Sequence, residues 1–171
     1  GSEMCIRDRL NADTLRRSLR HVRERGVLVA TLQRLAEQDP LTGIANRQGF
    51  QALLTARLAE NEGRGVALGH LDLDNFRHVN DALGHQSGDR LILQVVARLQ
   101  NQLEAGDQLA RLGSDEFALL IDTRRDANRA EWIAERIVEA LAEPYFIDGE
   151  SLLLGCSLGL AHARAQAGAD P

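Results

Sequence analysis

The sequence contains no lysine, only two cysteines and only three prolines among its 171 residues. Two cysteines, Cys5 and Cys156, are too few for a disulfide framework or a zinc site, so we expect a reducing, cytoplasmic location. Every apolar run ends far short of the ~20 residues that cross a bilayer. The first 30 residues lack the apolar stretch of a secretory signal. We therefore expect no direct membrane contact in this segment.

Positive charge is scarce over most of the chain. All twenty basic residues are arginine, and residues 39–171 hold twelve of them against twenty acidic residues, whereas residues 1–38 hold eight against five. The net charge of −5 argues against nucleic-acid binding, which needs a basic face. Any phosphate contact must come from arginine, backbone N–H groups or a metal. The chain is otherwise composed like one globular domain, with 44% hydrophobic and 26% charged residues.

Apolar periodicity predicts an α+β fold, with a mixed, mainly antiparallel sheet flanked by helices and preceded by an N-terminal helix. The predicted helices cover 10–38, 46–61, 75–82, 87–103 and 131–143, and the predicted strands cover 66–73, 108–112, 116–122, 145–147 and 152–161. Gly113-Ser114 is predicted to be the two-residue turn of one hairpin, and Asp148-Gly149 the turn of a second. Residues 1–9 match no pattern, and we interpret them as a remnant of cloning or of fragmentation.

Residues 10–38 are interpreted as an amphipathic linker helix. Its apolar residues are spaced by four and three on each side of Gly26: Leu15, Leu19 and Val22 before it, and Leu28, Leu32 and Leu35 after it. A helix of this kind ahead of a domain can pair with a second copy of itself. It can also pack alone on its own domain, and the spacing leaves both interpretations open.

Several polar side chains stand where an apolar core would not need them. Asp72 ends an otherwise apolar strand, and Asp115 and Glu116 follow at the tip of a hairpin. Carboxylates that converge from neighbouring strands suit a hard cation such as Mg²⁺, although Asp72 could instead cap a helix and the other two could form an ordinary acidic turn. Asn80 and Asp89 offer an amide and a carboxylate that can bind a guanine edge. They could equally be helix caps.

Three segments together resemble the GGDEF domain of diguanylate cyclases: DPLTGIANR (39–47), LDLDNFRHVNDALGHQSGD (71–89) and RLGSDEF (111–117). The resemblance covers residues 39–171 and puts the preceding helix in the usual linker position. It implies the ferredoxin-like core of nucleotidyl cyclases. It also implies that two GTP molecules condense into cyclic di-GMP and two pyrophosphates, with Mg²⁺ (or Mn²⁺), in a homodimer.

The resemblance assigns roles to individual positions. The implied metal ligands are Asp72, the backbone carbonyl of Leu73, Asp115 and Glu116. The last two are also the implied catalytic residues. The implied GTP contacts are Phe76 and Arg77 along the triphosphate, Asn80 and Asp89 at the guanine, and Gly113 and Ser114 near the ribose and α-phosphate.

The sequence departs from the family pattern in several places. The family's Gly-Gly-Asp-Glu-Phe signature reads Gly-Ser-Asp-Glu-Phe here, at residues 113–117. Ser114 thus replaces the second glycine, which should reduce activity because a side chain enters where the backbone approaches substrate. Arg77 replaces a lysine and presents a planar fork instead of a point charge. The product-inhibition motif Arg-x-x-Asp has Glu104 in place of its arginine and keeps Asp107, so we predict a degenerate inhibitory site. Because the chain stops at Pro171, we expect the 39–171 domain to lack the family's last helix and strand.

An alternative function follows from the altered signature. Domains with such signatures are commonly followed by an EAL phosphodiesterase domain, and residues 146–161 are similar to those composite proteins. The chain would then be a catalytically weakened, GTP-binding domain that regulates a neighbouring EAL domain, downstream of a sensor domain. A third interpretation, a dimerisation scaffold without nucleotide, is disfavoured because a scaffold has no need for these carboxylates together.

Overall fold

The structure is a computed structural model that describes residues 12–60 and 65–163. The predictions for residues 1–11, for residue 61 and for residues 164–171 lie outside the described residues. The chain divides into two compact units, residues 1–36 and 37–171. Helix α1 (Ala12–Glu37) runs unbroken through Gly26, and its large apolar side chains from Leu15 to Leu35 are each more than half exposed. None of the described helices is both long and apolar enough to span a membrane.

The second unit contains four helices and six strands among its described residues. The helices are α2 (Arg47–Glu60), α3 (Phe76–Leu83), α4 (His85–Gln102) and α5 (Arg129–Ala142). The strands are β1 (Val66–Leu73), β2 (Gln108–Arg111), β3 (Glu116–Asp122), β4 (Tyr145–Ile147), β5 (Glu150–Leu152) and β6 (Cys156–His162). The main sheet has the order β2-β3-β1-β6 with every neighbouring pair antiparallel, and helices flank it. The predicted α+β fold is confirmed.

Alternate residues of the central strands build two apolar layers. On β3, Phe117, Leu119 and Ile121 join the larger core, which also contains the apolar stripes of α4 and α5. The intervening Ala118 and Leu120 join a smaller core under α2. Burying an apolar side chain of leucine size contributes about 1.5–3 kcal/mol, so this alternation fixes which face of β3 meets which helices.

The register of the sheet decides what lies at the carboxyl end of β1. Asp72 stands opposite Glu116 on β3 and opposite Ser157 on β6. The first residues of β3 and β6 therefore flank the end of β1. This end of the sheet carries the carboxylates that the sequence singled out.

The second predicted hairpin is only partly correct. Asp148 and Gly149 form its turn with positive φ angles of 53° and 86°, but β4 pairs with a short β5 in a separate two-stranded sheet. The chain then turns, buries Leu154 in the core and begins β6 at Cys156, which pairs with β1. The predicted strand 152–161 is thus two strands. The first hairpin also differs, since four residues, 112–115, link β2 to β3.

The small sheet is fixed to the start of α4. The carboxylate of Asp148 accepts a hydrogen bond from the Ser87 hydroxyl at 2.7 Å and a second from Arg90. The Gln94 side chain donates to the carbonyl of Phe146 at 3.1 Å. These contacts attach the β4–β5 turn to the helix that carries Asp89.

Candidate active site

Three acidic residues, Asp72, Asp115 and Glu116, lie near one another where β1 ends. Asp72 pairs in register with Glu116, and the backbone N–H of Leu73 donates to the carbonyl of Asp115 at 3.0 Å. Partial burial raises the pKa of Asp72 above its ordinary value, and the negative charges of Asp115 and Glu116 raise it further. A cation bound at this point would relieve the repulsion.

The chemistry of these donors fits a divalent cation that keeps part of its hydration. Within residues 12–60 and 65–163, no three acidic, histidine or cysteine side chains stand close enough to form a ready-made cage. Mg²⁺ is usually bound by one or two carboxylates together with waters and substrate phosphates. Asp72, Glu116 and Asp115 with the Leu73 carbonyl supply that partial set, because hard oxygen donors meet at one edge. The alternative that Asp72 caps a helix is not seen, since the N-cap of α3 is Asn75.

The signature turn, residues 112–115 between β2 and β3, is held by hydrogen bonds among its own residues and from Arg111. The Ser114 hydroxyl donates to Oδ1 of Asp115 at 2.6 Å, and Arg111 donates to the Ser114 carbonyl at 2.8 Å. One oxygen of Asp115 is therefore engaged by the residue that replaces the second signature glycine. Gly113 and Ser114 are exposed, so a ligand can reach the backbone of the turn.

Arg47 contacts the signature turn but received no role from the sequence. It donates to the carbonyl of Leu112 at 3.1 Å and stands 3.5 Å from Oε2 of Glu116. It lies in the first segment that carries the family resemblance, so the signal was present in the sequence. The sequence could not show that residues 39–47, which contain Arg47, lie beside Glu116.

Arg111 is the second residue without a predicted role. Its guanidinium lies 3.4 Å from both carboxylate oxygens of Asp39 and thereby joins the start of the domain to the signature turn. Burial opposes ionisation of Asp39, but hydrogen bonds from Thr42 and the charge of Arg111 outweigh it and lower the pKa of Asp39.

The predicted guanine contacts lie near each other. A Cβ added to Gly88 would be 1.8 Å from Oδ1 of Asn80, so the Asn80 amide rests against the α4 backbone just before Asp89. Neither Asn80 nor Asp89 is a helix N-cap, because Asn75 and Gly84 occupy those positions. Glycine at position 88 is what allows this close approach.

The predicted triphosphate contacts divide into two kinds. Arg77 is exposed in the first turn of α3, where its guanidinium can reach a ligand. Phe76 is only 4% exposed, and its side chain belongs to the larger core. Any contact of Phe76 with the triphosphate would therefore involve its backbone, because its ring packs in the core.

The residues of the degenerate inhibitory motif are used inside the fold. The Asp107 carboxylate is completely buried and accepts two hydrogen bonds from Arg129, both at 2.7 Å. It accepts two more from the backbone N–H groups of Glu104 at 2.9 Å and Asp122 at 3.0 Å. Arg129 also pairs with Glu104 at 3.2 Å. These internal bonds leave Asp107 no free oxygen for product, which supports the prediction of a degenerate site.

Comparisons with known proteins identify the family of this chain. A family model described as "Diguanylate cyclase, GGDEF domain" matches residues 36–171. The cyclic di-GMP phosphodiesterase NbdA of Pseudomonas aeruginosa is 38% identical over 135 residues, which are 77% of this chain and 17% of NbdA. The diguanylate cyclase TpbB of the same species is 35% identical over 135 residues, which are 77% of this chain and 31% of TpbB.

Solved structures show the same likeness. The GGDEF domain of TpbB superposes with a TM-score of 0.68 at 34% identity, over 72% of this chain and 73% of that one. The coiled coil and GGDEF domain of DgcB from Caulobacter crescentus, solved with c-di-GMP, gives a TM-score of 0.79 at 26% identity, over 90% of this chain and 83% of that one. This chain spans only 17% of NbdA and 31% of TpbB. Because the family model covers residues 36–171 and the sheet of this chain superposes on solved GGDEF domains, the chain belongs to the GGDEF domain family of diguanylate cyclases.

Proposed function

We propose that this chain is the cyclase domain of a cytoplasmic signalling protein, and that it condenses two GTP molecules into cyclic di-GMP and two pyrophosphates. The observation that carries the proposal is that Asp72, Asp115 and Glu116 lie together at the end of β1, where partial burial and then the charges of Asp115 and Glu116 raise the pKa of Asp72. A packed core gains nothing from three adjacent carboxylates, whereas a cation that binds phosphate needs them.

Each predicted residue has a task in this reaction. The metal Mg²⁺ (or Mn²⁺) would be held by Asp72, Asp115, Glu116 and the Leu73 carbonyl. When bound, it supplies a lower pKa for the attacking 3′-hydroxyl and neutralises charge on the α-phosphate. Asp115 would stand beside the reacting groups. Arg77 would pair with the triphosphate, a contact its charge suits.

Specificity for guanine would rest on the two polar groups at the α3–α4 junction. The Asp89 carboxylate would accept hydrogen bonds from the ring N–H and the 2-amino group of guanine, and the Asn80 amide would bind the remaining edge. The backbone of Gly113 and Ser114 would pass close to the ribose. The exposure of Asp89 and of this turn supports their access to nucleotide.

We further propose that catalysis requires a homodimer. Each copy holds one GTP, so two copies must face each other for each 3′-hydroxyl to reach the other α-phosphate. The exposed apolar side chains of α1 support pairing of this helix with a second copy, which would raise the effective concentration of the two sites. An upstream sensor domain would act through this helix.

A specific observation favours a second candidate function. The Ser114 hydroxyl bonds to Asp115, which weakens a carboxylate that catalysis would use. A phosphodiesterase is also among the relatives at 38% identity. The alternative is therefore a GTP-binding domain with weakened catalysis that regulates a neighbouring EAL phosphodiesterase domain.

Pyrophosphate release from GTP and Mg²⁺, measured at increasing chain concentration, separates the two functions. A cyclase that needs two copies releases pyrophosphate with a specific rate that rises with concentration. A regulatory domain with weakened catalysis binds a fluorescent GTP analogue but releases little or no pyrophosphate at any concentration. A chain that neither binds the analogue nor releases pyrophosphate would contradict both.

A further inference from the structure

We propose that Asp74 is a positioning residue that latches the turn between β1 and α3 onto the start of β6, and is not itself a metal ligand. The inference rests on the proposed function, because this turn carries the Leu73 carbonyl, which would face Mg²⁺, and leads into Phe76 and Arg77, which would lie along the triphosphate. Asp74 thereby sets the geometry of the phosphate side of the site.

The backbone of Asp74 bonds to Gly155, just before β6, and its side chain bonds to Ser157 in β6. Its N–H donates to the carbonyl of Gly155 at 2.9 Å, and its Oδ1 accepts a hydrogen bond from the Ser157 hydroxyl at 3.0 Å. Its Oδ2 lies against Gly155, where an added Cβ would come within 2.7 Å of it. One carboxylate oxygen therefore accepts a hydrogen bond from β6, and the other lies against the backbone just before β6.

The turn is held from its other side as well. The N–H of Leu73, one residue earlier, donates to the carbonyl of Asp115 in the signature turn at 3.0 Å. The segment that starts α3 is thus fixed between the signature turn and β6. A displacement of either contact would move the Leu73 carbonyl relative to Asp72.

The backbone after Asp74 needs this support. Asn75 has φ 57° and ψ 19°, a left-handed conformation that is less favourable for asparagine than for glycine. Its side chain makes no capping bond that would offset the cost. Such a conformation persists where neighbouring contacts determine it, and the Asp74 bonds lie directly beside it.

Two glycines in the same stretch offer a matched pair of variants. Gly155→Ala places a methyl group against Asp74, whereas a Cβ on Gly159, four residues on, meets nothing within 4 Å. We expect Gly155→Ala to weaken binding of a non-hydrolysable GTP analogue with Mg²⁺ by roughly tenfold, the loss of one charged hydrogen bond. Gly159→Ala should bind within about twofold of the wild type. Titration calorimetry measures both, and the melting temperature of each variant reports folding.

Four further substitutions remain informative if Gly155→Ala fails to fold. Ser157→Ala removes one exposed hydroxyl and should weaken the same binding, and Ser157→Thr, which keeps the hydroxyl, should restore it. Asp74→Asn still accepts the Ser157 bond, so we expect nucleotide and Mg²⁺ affinity to stay within about threefold of the wild type. Asp72→Asn should abolish the Mg²⁺ dependence of binding.

Each outcome has one meaning. Wild-type affinity in both Gly155→Ala and Ser157→Ala would overturn the latch. A loss in Asp74→Asn as large as that in Asp72→Asn would make Asp74 a metal ligand and would also overturn it. Failure of the wild-type chain to bind the analogue would instead overturn the proposed function, and the latch with it.

Discussion

At the signature turn, one hydroxyl group determines how many oxygens of Asp115 stay free. The Ser114 hydroxyl donates to Oδ1 of Asp115 at 2.6 Å. We predict that Ser114→Gly raises the turnover number about fivefold, because losing a competing hydrogen bond of about 1 kcal/mol makes that carboxylate available. Steady-state turnover under saturating GTP measures the effect.

Ser114→Ala distinguishes the effect of the hydroxyl group on turnover from the effect of backbone flexibility. If the hydrogen bond is the handicap, alanine recovers most of the glycine variant's gain. If backbone freedom matters more, alanine stays at the wild-type rate. No gain in either variant would rule out Ser114 as the cause of reduced activity.

Asp107 gives the fold a sensitivity to acid. Burial opposes its ionisation, but the bonds from Arg129 and two backbone N–H groups outweigh burial and lower the pKa of Asp107 below its usual 3.8. Bonds from Arg124 likewise lower the pKa of Asp122 to about 2. Both carboxylates therefore stabilise the fold above the unfolded pKa, and that stability is lost as pH falls through the folded pKa.

We predict that the free energy of unfolding decreases between about pH 4 and pH 2. Asp107→Asn should flatten that decrease and should cost about 3 kcal/mol at pH 7, because it leaves the largely buried Arg129 with only the exposed Glu104 as a charged partner. Urea denaturation across this pH range measures both effects. If the free energy of unfolding of Asp107→Asn fell with pH as steeply as that of the wild type, Asp107 would not be a source of the acid sensitivity.

At the level of residues, the sequence predicted what depends on short spacing. Asp115 and Glu116 are adjacent at the end of a predicted hairpin, and Asp72 ends a recognisable strand. The pairing of β1 with β3 then places Asp72 opposite Glu116. The Asp107–Arg129 pair could not be predicted, because its partners lie in a loop and a helix 22 residues apart. The burial of the Phe76 ring could not be predicted, because its neighbours in sequence are polar.

Among the elements, the helices and the main strands were predictable from apolar periodicity. The split of 152–161 into β5 and β6 was not, because residues 152–154 are all leucine and read as a continuous strand. What ends β5 is a tertiary contact, the burial of Leu154, and Gly155 then approaches Asp74. Continuous apolar runs carry no signal for a break of this kind.

Arg98 secures the end of α5 to α4. It donates to the carbonyls of Ala140 at 2.9 Å, Glu143 at 2.6 Å and Pro144 at 2.6 Å, and covers the ring of buried Tyr145 at 3.7 Å from its centroid. We predict that Arg98→Ala lowers the free energy of unfolding by about 2–3 kcal/mol, because it removes charged hydrogen bonds and a cation–π contact together.

Arg136 provides the matched control for that substitution. It lies 4.5 Å from the ring centroid of Trp132, a side chain that is itself half exposed. Arg136→Ala should cost no more than about 1 kcal/mol, as exposed cation–π pairs do. Equal losses of stability in the two variants, measured by urea denaturation, would contradict the role given to Arg98.

For the molecule as a whole, the proposed reaction depends on pairing two copies. We predict that Leu32→Asp, in the exposed apolar set of α1, lowers the specific cyclase rate at least tenfold at low chain concentration and less at high concentration, because a buried charge would oppose helix pairing. Ser18→Asp adds the same charge at an exposed polar position and should leave the rate unchanged. Analytical ultracentrifugation of both variants measures the association directly.

The central claim, that the carboxylates at the end of β1 serve GTP condensation, is tested most directly by mass spectrometry of the nucleotide products. The chain is incubated at high concentration with GTP and Mg²⁺, beside Asp115→Asn under the same conditions. We predict cyclic di-GMP, or its linear intermediate, from the wild-type chain and neither from the variant. Unchanged GTP in both samples, or equal product from both, would contradict the claim.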